Sequence, residues 1–328
     1  AVGQLANVTL PDGTFLANTY DAAHRLTGIA DNLGNRIVYT LDAMSNRTKE
    51  EVFDPSNQLA RTRSHVYDQL NRLAQDIGAQ GQATTYGRDK NGNLTSVTDP
   101  LIHVSQLGYD ALNRLIQATD PTNAVTNVAY NANDQVTGVT DPRGLATAYT
   151  YNGLGDRAST QSPDAGTTTK TFDAAGNVLT STDARGMTTT FTYDALNRPT
   201  SAVFADGKTL AYTYDQGTNG KGRFTGMTDP SGTTTWTYDL HGRVLTKQQK
   251  TGSVTLTTSY AYDAATGKLT SIIYPSGRQL SYTYDTVSKK LAGIKVGNTS
   301  LVSALTYQPF GPVASWTQGN GKSYGRTF

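Results

Sequence analysis

The sequence predicts an all-β fold, a long antiparallel meander of short hairpins, on three observations. An aromatic residue followed by an acid or amide recurs about every 21 residues from one end of the 328-residue chain to the other. Ahead of each aromatic, apolar residues and Thr alternate with the period of a half-buried strand, as in Phe191-Thr192-Tyr193 and Tyr282-Thr283-Tyr284. Asp, Asn, Gly and Pro fall at two fixed places in each period, where the chain must turn.

The repeat word is clearest at Tyr20-Asp21, Tyr67-Asp68, Tyr109-Asp110, Phe172-Asp173, Tyr193-Asp194, Tyr214-Asp215, Tyr238-Asp239, Tyr262-Asp263 and Tyr284-Asp285. Weaker copies at Leu41-Asp42, Arg88-Asp89, Tyr130-Asn131, Tyr151-Asn152 and Tyr307-Gln308 bring the total to fourteen. In each copy the aromatic closes a strand, and a polar turn such as Asp110-Ala111-Leu112-Asn113 follows, with Asp bonding nearby backbone and Asn or Gly taking positive φ. A second alternating strand comes next, for example Val136-Thr137-Gly138-Val139-Thr140, and ends at a second turn such as Asp99-Pro100 or Asp229-Pro230-Ser231-Gly232. Two strands per copy give roughly 28 strands, a sheet of roughly 130 Å at about 4.8 Å per strand. Twist accumulates over such a length, so the sheet is expected to curve or spiral into part of a shell. A seven-bladed β-propeller, with two copies per blade, is the alternative.

The array is expected to form one unit over residues 1–328 rather than two ordinary domains. Gly3 to Asn18 reads as a repeat without its first half, and Phe328 stands 21 residues after Tyr307, so the array is expected to be cut within a repeat at both ends. Spacing widens to 26 between Leu41 and Tyr67 and is irregular after Tyr214, where Gln216 to Gly222 lengthens a turn.

Composition narrows the function. Charged residues are 16%, and the net charge of +2 is spread evenly, which offers no basic face for nucleic acid. No apolar run reaches the length of a membrane helix. With no Cys, disulfides and thiolate chemistry are excluded.

The recurring Tyr-Asp word, followed by Ala-Leu-Asn-Arg-Leu or Ala-Ala-Gly-Asn, resembles the YD repeats of bacterial Rhs proteins, which are similar to those of insecticidal toxin-complex C subunits and teneurins. Tyr307-Gln308-Pro309-Phe310-Gly311-Pro312-Val313 is similar to a segment common in Rhs cores. The resemblance implies a strip of β-sheet that spirals into a hollow shell around a toxic carboxy-terminal polypeptide. It implies as partners the rest of the shell and the enclosed chain, and a secreted or cell-surface location. Asp141-Pro142-Arg143-Gly144-Leu145 has the letters that end the family's self-cleaving core. It occupies the same place in its copy as Asp99 and Asp120, however, and so reads as a repeat turn.

No catalytic, metal or cofactor site is expected. His24, His65, His103 and His241 fall at unrelated places in the repeat, and no phosphate loop or nucleophile elbow is present. Equivalent Asp residues in successive copies would stand about 9.6 Å apart, two strands of the sheet, too far to share a calcium ion whose ligands lie about 2.3 to 2.6 Å away. The recurring Tyr and Asp residues are therefore read as a structural motif. The expected role is a non-enzymatic wall segment that encloses a toxic or partly unfolded polypeptide. Two further readings stand beside it: a cell-surface module whose Tyr ladder binds carbohydrate or protein, and edge-to-edge self-association through unpaired strands.

Overall fold

The computed structural model describes residues 3–326, which form thirty β-strands and no helix. All thirty strands belong to one sheet. Successive strands pair antiparallel: β12 (Val125–Tyr130) with β13 (Val136–Thr140), β13 with β14 (Ala146–Tyr151), and β14 with β15 (Arg157–Ser162). The propeller alternative is overturned, because blades would divide the strands among seven sheets. The physical reason is that strands pair across the junctions between copies as they do within a copy, so the sheet offers no break at which a blade could end.

Each of the fourteen repeat positions is the last residue of an even-numbered strand, from Tyr20 in β2 (Phe15–Tyr20) to Tyr307 in β28 (Thr299–Tyr307). Two strands per copy account for 28 of the strands, and β1 (Asn7–Thr9) and β30 (Ser323–Gly325) flank them. The two turns of a copy share one geometry. The Asp110 amide donates to the Arg114 carbonyl and the Asn113 amide to the Asp110 carbonyl, each at 3.0 Å. The second turn repeats this with Asp120, Asn123 and Ala124. A left-handed residue closes both, Asn113 at φ 60° and Asn123 at φ 66°, as a type I turn with a G1 bulge requires.

What separates the two turns is a second bulge. Ala129 pairs with Gly138, but Tyr130 pairs with Val136, leaving Thr137 as an extra residue. The same shift falls just before the aromatic in β10, β14, β16, β18, β20 and β22, which end at Tyr109, Tyr151, Phe172, Tyr193, Tyr214 and Tyr238. The hairpin around Asp120 carries no such shift. Insertions lengthen hairpins without breaking this order: β5 (Arg47–Phe53) and β6 (Leu59–Tyr67) run to 7 and 9 residues, and the turn after Tyr214 closes through the Asp215 amide and the Arg223 carbonyl at 3.0 Å.

A single sheet layer buries little. Among the described apolar residues only Tyr39, Val52 and Ala202 are buried. One face carries the half-buried aromatics and the other the exposed Thr residues, as the alternation along Ala146–Tyr151 shows. Contacts divide the described chain into two compact units. One takes residues up to Gly87, Val97–His103 and the residues from Tyr260 onward, and the other takes Arg88–Ser96 and Val104–Ser259.

Gly232, at φ 150°, lies where a Cβ would collide with the Lys250 carbonyl, whereas Gly252, at φ 58°, faces open space. Gly232→Ala is expected to lower the thermal midpoint well beyond Gly252→Ala, for which only the backbone cost of roughly 1 kcal/mol applies. Equal midpoints for the two variants in a circular dichroism melt would contradict this packing.

Candidate functional site

The repeated Tyr-Asp pair is where the chain concentrates its side-chain hydrogen bonds. In the first turn Asp110 uses both carboxylate oxygens. Its Oδ1 accepts from the amides of Leu112 (2.9 Å) and Arg114 (3.0 Å), and its Oδ2 accepts from Arg114 Nε (2.8 Å). Asp21 with Arg25, Asp68 with Arg72, Asp194 with Arg198 and Asp239 with Arg243 repeat the arrangement. Asn replaces Arg as donor to Asp42, Asp89 and Asp173. Where the acid itself becomes Asn, the partner switches to an acceptor: Asn131 Nδ2 donates to Gln135 Oε1 at 2.8 Å and Asn152 Nδ2 to Asp156 Oδ2 at 2.9 Å. In these copies the two positions vary together so that one of the pair donates.

The aromatic joins one copy to the next. Pairing between β13 and β14 covers Gly138–Ala148 to Thr140–Ala146, and beyond it the Val136 carbonyl accepts from the Tyr151 hydroxyl at 2.7 Å. Tyr130 donates likewise to Leu115 (2.9 Å), Tyr193 to Val178 (3.0 Å), Tyr214 to Pro199 (2.9 Å), Tyr284 to Leu269 (2.9 Å) and Tyr307 to Leu291 (2.8 Å). Tyr20, Tyr67 and Tyr238 reach the carbonyls of Leu5, Arg47 and Phe224. Above the ring lies the cation that ends the preceding turn: Arg114 Cζ is 4.8 Å from the Tyr130 centroid, Arg198 Cζ 4.3 Å from Tyr214, Lys268 Nζ 5.5 Å from Tyr284 and Lys290 Nζ 4.8 Å from Tyr307. Phe172 and Leu41 have no hydroxyl, and Arg88 turns its Nη1 to the Gly92 carbonyl at 3.3 Å. The tie from the turn cation to the next copy's ring escaped the sequence reading. Its signal was the basic residue five places after the aromatic in some copies, as at Arg25, Arg72, Arg114, Arg198 and Arg243.

The opposite face is hydroxylated. Thr150 pairs with Ser159, Thr171 with Thr180, Thr192 with Ser201 and Thr237 with Thr246 through contacts of 2.6 to 2.7 Å. The histidines serve turns and strands separately. His24 takes the left-handed position at φ 65°, the His103 ring meets Asp99 at 2.9 Å, and the His241 amide caps Asp239. Asp141 receives the amides of Arg143 and Leu145 and the Arg143 guanidinium, the bonding of an ordinary second turn. Among the described residues no group of three His, Asp or Glu side chains stands close enough to hold a metal ion.

The same hydrogen bonds shape the electrostatics. The Arg114 amide and then its guanidinium hold Asp110 below the ordinary 3.8, against a partial desolvation that raises it. The Asn177 side chain and amide do the same for Asp173, and the Asp215 and Asp194 carboxylates push Arg198 upward. A carboxylate depressed in the folded state stabilises the fold above its unfolded value and loses that contribution as pH falls through the folded value. The thermal midpoint is therefore expected to stay flat above about pH 5 and to fall steadily below about pH 4 as the turn acids protonate. A midpoint unchanged down to pH 2.5 would contradict the assignment. Tyr193→Phe, which removes only the hydroxyl reaching Val178, is expected to cost roughly 1 to 2 kcal/mol in denaturant unfolding, while Phe172→Tyr is expected to be neutral or stabilising. A neutral Tyr193→Phe would show that the ring alone holds the junction.

Residues 1–36, 20–52, 67–101, 89–125, 130–167, 172–209 and 219–255 match the family model described as RHS Repeat, together more than half of the chain. No curated protein matches the sequence. The fold is similar to that of a crystal structure of TcdB2-TccC3-Cdc42, with a TM-score of 0.77 and 18% identity over 96% of this chain. It is similar also to TcdB2-TccC3 (TM-score 0.74, 16% identity, 96% of this chain) and to the Tc holotoxin pore of Photorhabdus luminescens (0.70, 16%, 94%). This chain spans 20%, 20% and 19% of those three chains. A repeating copy that in most cases closes its strand with an aromatic ahead of an acid-capped turn, and a family model that recurs along most of the length, place this chain in the RHS repeat family.

Proposed function

We propose that the chain is a structural, non-enzymatic stretch of a repeat wall that encloses a toxic or partly unfolded polypeptide in a secreted or cell-surface protein. The carrying observation is the continuity of the sheet: it takes in every copy, and polar side chains of the motif are engaged in holding turns and neighbouring copies together. Side chains so committed are poor candidates for chemistry on a substrate. The fold likeness to TccC3 structures supports the reading, and one of those structures is described as lacking a hypervariable C-terminal region. A continuous sheet leaves few gaps through which a protease or an unfolded chain could pass.

Carbohydrate recognition has one observation in its favour. Trp316 and Tyr324 stack at 5.6 Å with planes 13° apart, beside an open groove of about 570 Å³ lined by Val302, Leu305 and Tyr307. That platform belongs to the last two strands rather than to the repeat as a whole.

When an unfolded, protease-sensitive polypeptide is fused to the carboxy-terminal end of the chain, that polypeptide is expected to resist brief protease treatment. It should become cleavable when Gly232→Ala loosens the sheet. Equal cleavage rates with intact and loosened repeats would overturn enclosure, and glycan capture that is lost in Trp316→Ala would favour the second reading.

A further inference from the structure

At a regular junction three groups meet: the cation ending one turn, the residue after it, and the aromatic of the next copy. Arg114, Leu115 and Tyr130 form such a set, with the guanidinium 4.8 Å from the ring centre and the hydroxyl 2.9 Å from the Leu115 carbonyl. At the same spacing the second copy has Arg25, Leu26 and Leu41. Arg25 keeps its usual bonds, Nε to Asp21 at 2.6 Å and Nη1 to the Asp42 carbonyl at 2.8 Å, as Arg114 does to Asp110 and Asn131. Leu41 supplies neither ring nor hydroxyl. A pocket of about 460 Å³ opens there, lined by Arg25, Leu26, Leu41, Ser45, His65 and Tyr67, with Arg47 at its side.

We propose that this pocket is a receptor for a phenol group, which takes the slot that tyrosine fills in the regular copies. Size permits it, since about 150 Å³ suffices for a benzene ring. Leu26 and Leu41 give the slot an apolar floor, and Arg25 is already held where its counterparts cover a ring. The Leu26 carbonyl is the counterpart of those that accept a tyrosine hydroxyl elsewhere. An anion is the poorer fit, because Arg25 is engaged by Asp21, and Arg47 lies 3.6 Å over the Tyr39 ring and 3.3 Å from Glu50. His65, also in the lining, keeps its Nε2 3.7 Å from Asp76 Oδ1 and turns its Nδ1 away from solvent. The phenol could belong to a small molecule or to a tyrosyl side chain of a polypeptide.

The test is a titration of the methyl-labelled chain with p-cresol, with toluene, and with the blocked tripeptide Gly-Tyr-Gly, read by nuclear magnetic resonance at Leu26 and Leu41. Saturable shifts at both residues are expected with p-cresol, and binding roughly five-fold weaker with toluene, which lacks the hydroxyl. Leu41→Tyr is expected to abolish binding and raise the thermal midpoint by filling the slot. Binding of the tripeptide as well would assign the pocket to a tyrosyl side chain, and binding of p-cresol alone to a small phenol. Absence of saturable shifts, shifts centred elsewhere, toluene binding as tightly as p-cresol, or unchanged binding in Leu41→Tyr would each overturn the proposal. The wild-type comparisons decide it even if Leu41→Tyr does not fold.

Discussion

The hydrogen bond that the tyrosine hydroxyl of most copies makes to a carbonyl of the preceding copy is the interaction on which the remaining architecture rests. A single layer of sheet cannot form a thick apolar core, and here only three described apolar side chains are buried. Order must then come from contacts between neighbours in the repeat, each small, summed along the array. Tyrosine suits that need because it buries a ring and still delivers a donor at its tip. It delivers that donor where the backbone ladder has ended, as at Val136, so it replaces a ladder bond rather than adding to one.

This constraint explains the asymmetry of the copy. In a regular copy such as that of Tyr109 and its neighbour both turns have the same five-residue form, yet the first is followed by the bulge that resets the aromatic against its partner strand and the second is not. Asp then fixes the turn, and the residue four places later completes the carboxylate's shell while its far end lies over the next ring. In the reversed pairs Asn131 with Gln135 and Asn152 with Asp156, donor and acceptor complementarity is kept although the acid is not.

The first unit departs from this scheme. On the aromatic face of its long hairpin, Glu50 stands between Arg47 and Arg61 at 3.3 Å from each, and Arg63 pairs with Asp76, so ion pairs share that face with the rings. Within that same unit, residues far apart in the chain meet. Lys268 Nζ lies 2.7 Å from Asp12 Oδ2, and Asn32 Nδ2 donates to the Val287 carbonyl at 3.1 Å. Lys268 is thereby shared between a repeat ring, Tyr284, and a turn 256 residues away in sequence.

The strands, both turns, the left-handed Asn and Gly positions and the place of each aromatic at a strand end were all legible in the sequence. They follow from contacts within some ten residues, which a period of 21 writes out fourteen times. The basic residue after each turn was visible but not its target, because a guanidinium's reach depends on how two copies stack. The vacancy beside Leu41 was equally hidden: in sequence it is one weak letter in a series, and it becomes a pocket only once Arg25 and Leu26 are held in place around a missing ring. By itself the sequence determined that the chain is a repeating antiparallel sheet, since period and turn chemistry are local. Tertiary structure alone decided that the sheet does not divide into blades and that Asp12 meets Lys268, because those outcomes depend on small bulges and stacking angles added over hundreds of residues.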